Sequence, residues 1–118
     1  MTTAQLVGRY GEDVACRWME KQGWTVLERN WRCARGEIDA IALDRDTVVI
    51  AEVKTRRSTT AGTPQEAVTV RKVQRLRALA GMWLQHSGRT WREVRIDVIA
   101  VTVARAGAAR IEHFKGVE

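Results

Sequence analysis

Gly36-Glu37-Ile38-Asp39-Ala40-Ile41-Ala42-Leu43-Asp44-Arg45-Asp46-Thr47-Val48-Val49-Ile50-Ala51-Glu52-Val53-Lys54 reads as two apolar strands, 37–43 and 47–54, around a short polar turn. A connection that short implies an antiparallel hairpin. Both strands carry charge, which is costly away from water unless it is paired. Pairing that closes on residues 44–46 sets position 39 across from position 52, so Asp39 and Glu52 approach one another. Alternation puts Glu37, Asp39 and Ile41 on one face, and Ile50, Glu52 and Lys54 on one face. Two opposed carboxylates destabilise a hairpin unless a cation lies between them. Converging carboxylates make a hard oxygen site suited to Mg2+ or Mn2+. A lysine beside them can place a water and stabilise charge developing on a phosphate. The pattern is that of a metal-dependent phosphodiesterase. The competing reading is a set of plain salt bridges from the two acids to Lys54, Arg35 or Arg56. Glu37, beside the turn, is a weaker candidate and reads as solvated.

Upstream, residues 3–22 read as a helix, with Val7, Tyr10, Gly11, Val14, Ala15 and Trp18 at helical spacing. Gly23 suits the position past its end, with Trp24 folding back on the last turn. Residues 24–31 read as a strand. Downstream, residues 56–61 form a polar loop, and Thr63-Pro64-Gln65-Glu66 offers an N-cap, a first-turn proline and a capping glutamate. The helix that follows is expected to run to about Gln85 and to stop at Gly88. Val73, Leu76, Ala80 and Trp83 form its buried stripe, and Arg71, Lys72 and Arg75 lie on another face. Residues 94–103 read as a fourth, central strand, and 110–114 as a last edge strand. A helix between the third and fourth strands implies a crossover, and so an α/β fold with a mixed central sheet flanked by helices.

The 118 residues suit one domain, 1–118, and 45% apolar with 29% charged residues is the composition of a soluble globular protein. No run of apolar residues is long enough for a membrane span, and the N-terminus does not read as a signal peptide. Cys16 and Cys33 lack metal-ligand spacing and read as reduced thiols, which points to the cytoplasm and away from zinc. The net charge of +6 is unevenly placed. Lys54, Arg56, Arg57, Arg71, Lys72, Arg75 and Arg77 face only Glu66 across that stretch, and the remainder of the chain is balanced. A basic stretch directly after the acid pair favours nucleic acid as partner, with Arg56, Arg57, Arg71, Lys72 and Arg75 as the contacts. Asp97 interrupts an apolar strand and is expected to be paired with Arg95 or a helix arginine. His86 and His113 are isolated in sequence and receive no catalytic role. Of the five tryptophans, Trp91 has the setting most open to a partner or a base.

Asp39 followed by Glu52-Val53-Lys54 resembles the PD-(D/E)xK motif of restriction-endonuclease-like nucleases, with Ile38 where that motif has proline. The element order α-β-β-β-α-β is similar to that fold's core. The chain is more similar still to the YraN-like family of bacterial proteins, related to archaeal Holliday-junction resolvases. The matching residues are Gly11-Glu12, Gly36-Glu37-Ile38-Asp39, Glu52-Val53-Lys54-Thr55-Arg56, Lys72 with Arg75-Leu76, and Ile96-Asp97-Val98. The resemblance implies Asp39 and Glu52 as metal ligands, the Val53 main-chain carbonyl as a further contact, and Lys54 as the catalytic lysine. It also implies that Glu12, which alone reads as a solvated helix residue, can reach the same site. The expected activity is a Mg2+- or Mn2+-dependent endonuclease acting on DNA by shape, such as a branch or flap, with a dimer by analogy to junction resolvases. Two other readings remain open. One is a non-catalytic nucleic-acid-binding module of the same fold, and the other is an adaptor whose basic helix meets an acidic protein.

Overall fold

The computed structural model describes residues 1–57 and 69–117. Helix α1 spans Thr3–Lys21, followed by strands β1 (Thr25–Cys33), β2 (Gly36–Asp44) and β3 (Thr47–Arg56), helix α2 (Val70–Ser87), and strands β4 (Glu93–Thr102) and β5 (Arg110–Phe114). One five-stranded sheet carries them in the order β1-β2-β3-β4-β5. Only β3 and β4 pair in parallel, and the α2 crossover joins them. The α/β class, the mixed sheet and the core element order are as the sequence implied. The middle strand, however, is β3; β4 lies between it and the edge strand β5. Among the described residues, no helix is long and apolar enough to cross a membrane.

Local chemistry explains the boundaries. Thr2 caps α1, accepting from the Gln5 N–H while the Gln5 side chain accepts from the Thr2 N–H. At its other end Gly23 adopts φ 90°, and the Trp24 N–H reaches back 3.0 Å to the Met19 carbonyl. The expected cap at Thr63 and Pro64 lies outside the described residues. The helix observed begins at Val70, because Thr69 is extended (φ −93°, ψ 161°) and its hydroxyl accepts the Lys72 N–H at 3.2 Å. Gly88 ends α2 in the left-handed conformation, as its position suggested.

The helices cover opposite faces of the sheet. Ala15, Cys16 and Met19 of α1 pack with Trp24, Ala40, Ala42, Val49, Ala51, Val53, Ile99 and Val101. Leu76, Leu79, Ala80 and Trp83 of α2 pack with Ile38, Ile41, Val48, Ile50 and Ile96. Strands buried on both sides must be apolar nearly throughout, which is how β3 and β4 read.

A buried ionic network fastens the last strand. The Asp97 side chain is fully buried and accepts from Arg95 Nε at 3.0 Å and from the Gly116 N–H at 2.9 Å. His113 Nε2 lies 2.7 Å from its other oxygen, and Arg95 Nη2 lies 2.9 Å from Asp44. His113 is thus not isolated. It sits edge-on to Trp18 and Trp24, at 4.9 and 5.4 Å between ring centres, with Asp97 as its acid. Sequence separation hid the pair, since only the β4–β5 register brings them together. Asp97→Ala should lower the unfolding free energy by about 3–5 kcal/mol, because it leaves Arg95 buried and short of a partner. Asp97→Asn, which still accepts hydrogen bonds, should cost less. Urea titration of both variants checks this ordering.

Candidate metal centre and its basic flank

The β2–β3 hairpin pairs from Asp44 with Thr47 to Ala40 with Ala51, the register that the polar turn implied. Arg45 turns the corner at φ 56°. The next step would oppose Asp39 and Glu52. There the Asp39 carboxylate accepts the Val53 N–H at 2.8 Å, so a side chain takes up a main-chain donor. Strict alternation also fails at this point. Ile38 and Ile41 both pack on the α2 side although they are three residues apart, and Asn30 on the neighbouring strand has φ 53°. The slip separates Ile41 from the two acids expected to share its face. Glu37 and Asp39 converge instead with a residue of α1.

That residue is Glu12, and Gly11 explains how it arrives. Gly11 is buried, and a Cβ built on it would lie 2.6 Å from Thr55 Cγ2. Only the absence of a side chain lets α1 lie this close to the end of β3. One carboxylate oxygen from each of Glu12, Glu37 and Asp39 lies within 4.8 Å of the others. Each is partly exposed, and Arg32 Nε holds Glu37 at 2.7 Å. An open cleft of about 760 Å³ runs from Glu12 and Glu37 past Asn30, Arg32 and Arg9.

The electrostatics match the crowding. Burial raises the Asp39 pKa to about 7, and the charges of Glu52, Glu12 and Glu37 push the same way against the Val53 N–H. Burial also raises Glu12, with Glu37 and Asp13 adding to it and Asn30 and Arg29 opposing. Glu52 and Lys54 follow Ile50 onto the α2 side of β3, by alternation from the packed residues Val49, Ile50, Ala51 and Val53. There the Lys54 ammonium, and secondarily burial, lowers the Lys72 pKa, while Glu52 opposes. The site therefore has two halves that meet at Asp39: Glu12 and Glu37 on the α1 side, and Glu52, Lys54 and Lys72 on the α2 side. The tightest acidic grouping among the described residues contains Glu37, which the sequence reading had set aside as solvated. The Glu37-Ile38-Asp39 spacing was the available signal. Arg71 and Arg75 lie exposed on the first turns of α2, Arg57 is exposed just past β3, and Arg56 is half-buried.

Residues 11–101, which contain all of these groups except Arg9, match the family described as Uncharacterised protein family UPF0102. The chain belongs to this family. A UPF0102 protein of Beutenbergia cavernae is 55% identical over 117 residues, covering 99% of each chain. One from Kineococcus radiotolerans is 55% identical over 112 residues, covering 94% of this chain and 92% of its own. A third, from Renibacterium salmoninarum, is 43% identical over 117 residues and covers 99% of both.

Two measurements probe the construction of the site. Asp39 holds its proton in the folded protein to about pH 7, whereas the unfolded chain releases it near the ordinary 3.8. Without a bound cation, this group therefore leaves stability undiminished below about pH 4 and lowers it as pH rises through 7. Asp39→Asn keeps an acceptor for the Val53 N–H. It should flatten that slope and stabilise the chelator-treated protein at pH 8 by about 1–3 kcal/mol. Urea titrations at pH 5 and 8 read this directly. Gly11→Ala should destabilise by about 1–3 kcal/mol through overpacking. Combining it with Thr55→Gly, which also removes the Cβ that would lie 2.7 Å away, should recover part of the loss relative to the Thr55→Gly single variant, and melting curves of the single and double variants show whether it does.

Proposed function

We propose that this protein is a divalent-metal-dependent nuclease acting on the phosphodiester backbone of DNA, with preference for shape over sequence. The observation that carries the reading is the meeting of Glu12, Glu37 and Asp39 within 4.8 Å, with the charge of Glu52 also acting on Asp39, and with Lys54 two residues further along β3. The residues fit a hard cation. Their donors are all carboxylate oxygens, and the raised pKa of Asp39 reflects crowding that a divalent ion would relieve. Glu12, Glu37, Asp39 and Glu52 would hold Mg2+ or Mn2+, which when bound supplies Lewis acidity toward a phosphate oxygen and toward water.

The chain's own residues account for the rest. The Val53 N–H fixes the Asp39 carboxylate, so that its oxygens do not reorient as substrate arrives. Lys54, on the same strand, stabilises negative charge growing on the phosphate and positions the attacking water. Arg9 and Arg32 line the cleft beside the acids and meet the approaching strand. Arg57, Arg71, Lys72 and Arg75 contact flanking phosphates, which gives salt-sensitive affinity without base readout. Branched or flapped DNA suits such a site, because among its described residues no element is shaped to enter a groove and read base edges.

Calorimetric titration of Mn2+ into the wild type, combined with cleavage of labelled branched and flapped DNA, tests the proposal. Asp39→Ala should abolish binding and cleavage. Glu12→Gln and Glu37→Gln should weaken the metal more than Glu52→Gln. Lys54→Ala should keep both metal and DNA yet lose roughly 10²–10³ in rate. Mn2+ binding that survives Asp39→Ala, or DNA binding with no cleavage in any metal, would turn the reading toward a non-catalytic module.

A further inference from the structure

Far from the acids, the other end of the sheet carries a second basic site. Arg45 occupies the tip of the β2–β3 turn, and Arg89, Trp91 and Arg92 follow α2 just before β4. Together with Leu43 and Asp46 they line a cleft of about 370 Å³. The loop is built rather than loose. The Ser87 hydroxyl donates to the Leu84 carbonyl at 2.7 Å and accepts from Trp91 Nε1 at 3.0 Å and from the Arg89 N–H at 3.3 Å. Trp91 stacks on Trp83 with ring centres 5.7 Å apart, and the Arg89 guanidinium lies 4.2 Å over the Trp91 ring. That stack orients a guanidinium along the cleft wall, where it can offer its donors in a fixed plane. The one opposing charge lining the cleft is Asp46, 3.9 Å from Arg92, with both side chains 78% exposed. A contact that long and that exposed neutralises little.

We propose that Arg45, Arg89 and Arg92 form a second phosphate-binding site that grips the DNA backbone at a distance from the acidic centre. This rests on the nuclease reading above. The two basic regions are joined by α2. Lys72 meets Lys54 at one end of the helix, and Arg92 meets Asp46 at the other. Arg71, Arg75 and Arg77 are exposed on the first half of α2, and beyond them Ala78, Gly81 and Gln85 form an exposed, uncharged stripe with open space over Gly81. From Lys72 to Ser87 the axis covers about 22 Å at 1.5 Å per residue. A duplex spans that distance in about seven base pairs. A neutral, small-residue floor between two cationic ends suits a stiff polyanion lying along the helix, and a single phosphate group could engage only one end.

The test is fluorescence anisotropy against salt, with Ca2+ as the divalent ion, on a 24-base-pair duplex and on a hairpin with a six-base-pair stem. The variant is Arg45→Ala/Arg89→Ala/Arg92→Ala. On the long duplex it should bind at least about tenfold more weakly, with the log–log salt slope reduced by about two to three. On the hairpin, too short to reach both ends, affinity should stay within about threefold of wild type. The corresponding triple lysine variant should keep the wild-type slope. If the alanine variant does not fold, Arg45→Gln and Arg92→Gln singly should each lower the slope by about one. Equal slopes for variant and wild type on the long duplex would overturn the second site and leave the nuclease reading standing. Wild-type protein that binds neither DNA would overturn both.

Discussion

The hydrogen bond from the Val53 N–H to Asp39 is the constraint on which the site depends. It ends the regular β2–β3 ladder and spends a main-chain donor on a carboxylate. That carboxylate is then held in a partly buried place, close to three other acids. A hydrogen bond of this kind favours the ionised form, yet burial and like charge outweigh it and the pKa rises to about 7. The balance is poised rather than settled. Removing one neighbour's charge or supplying a cation tips it toward the carboxylate.

Asp97 shows what a settled buried acid looks like in the same sheet. It is more deeply enclosed than Asp39, but Arg95, His113 and the Gly116 N–H meet its oxygens and Arg95 is shared with Asp44. Desolvation there is offset by partners that belong to the fold. Around Asp39 the nearest charged groups are acids, and the cations stand one step away: Arg32 on Glu37, and Lys54 beside Lys72. The two aspartates, on β2 and β4 to either side of β3, thus differ in what surrounds them: partners that belong to the fold around one, and like charge around the other.

Much of this was legible because period-two strands and capped helices leave local marks. The Asp44-Arg45-Asp46 turn specified the hairpin and its register down to Ala40 and Ala51. Gly23 and Gly88 marked helix ends by needing positive φ. What escaped depended on contacts distant in sequence. The slip that lets Ile38 and Ile41 share a face, and so frees Glu37 to join Asp39, arises from β1 and from packing against α2. Glu12 enters through the close passage of Gly11 over Thr55, a relation no helical pattern displays. His113 finds Asp97 through the pairing of β5 with β4. The start of α2 at Val70 was missed for a different reason: Thr63-Pro64 and Thr69 both carry N-cap chemistry, and a local rule cannot rank them.

The α2 crossover ties these observations together. A parallel β3–β4 pair requires a connection that returns the chain to the end of the sheet where β3 began, so the element that leaves the end of β3 must finish at the opposite end of the strands. Its buried stripe is fixed by Val73, Leu76, Leu79, Ala80 and Trp83, which leaves the outer face unconstrained by packing. The cations of its first half, Arg71 to Arg77, are then held a set distance from Arg89 and Arg92 by the rigidity of a helix. The same topology that delivers Lys72 to Lys54 delivers Trp91 to Trp83 and Arg92 to the β2–β3 turn. Arg71, Lys72, Arg75 and Arg77 crowd the first half of α2, and its second half carries no lysine or arginine. Positive charge returns only at Arg89 and Arg92, so the repulsion within each group is not added to by the other across the length of helix between them.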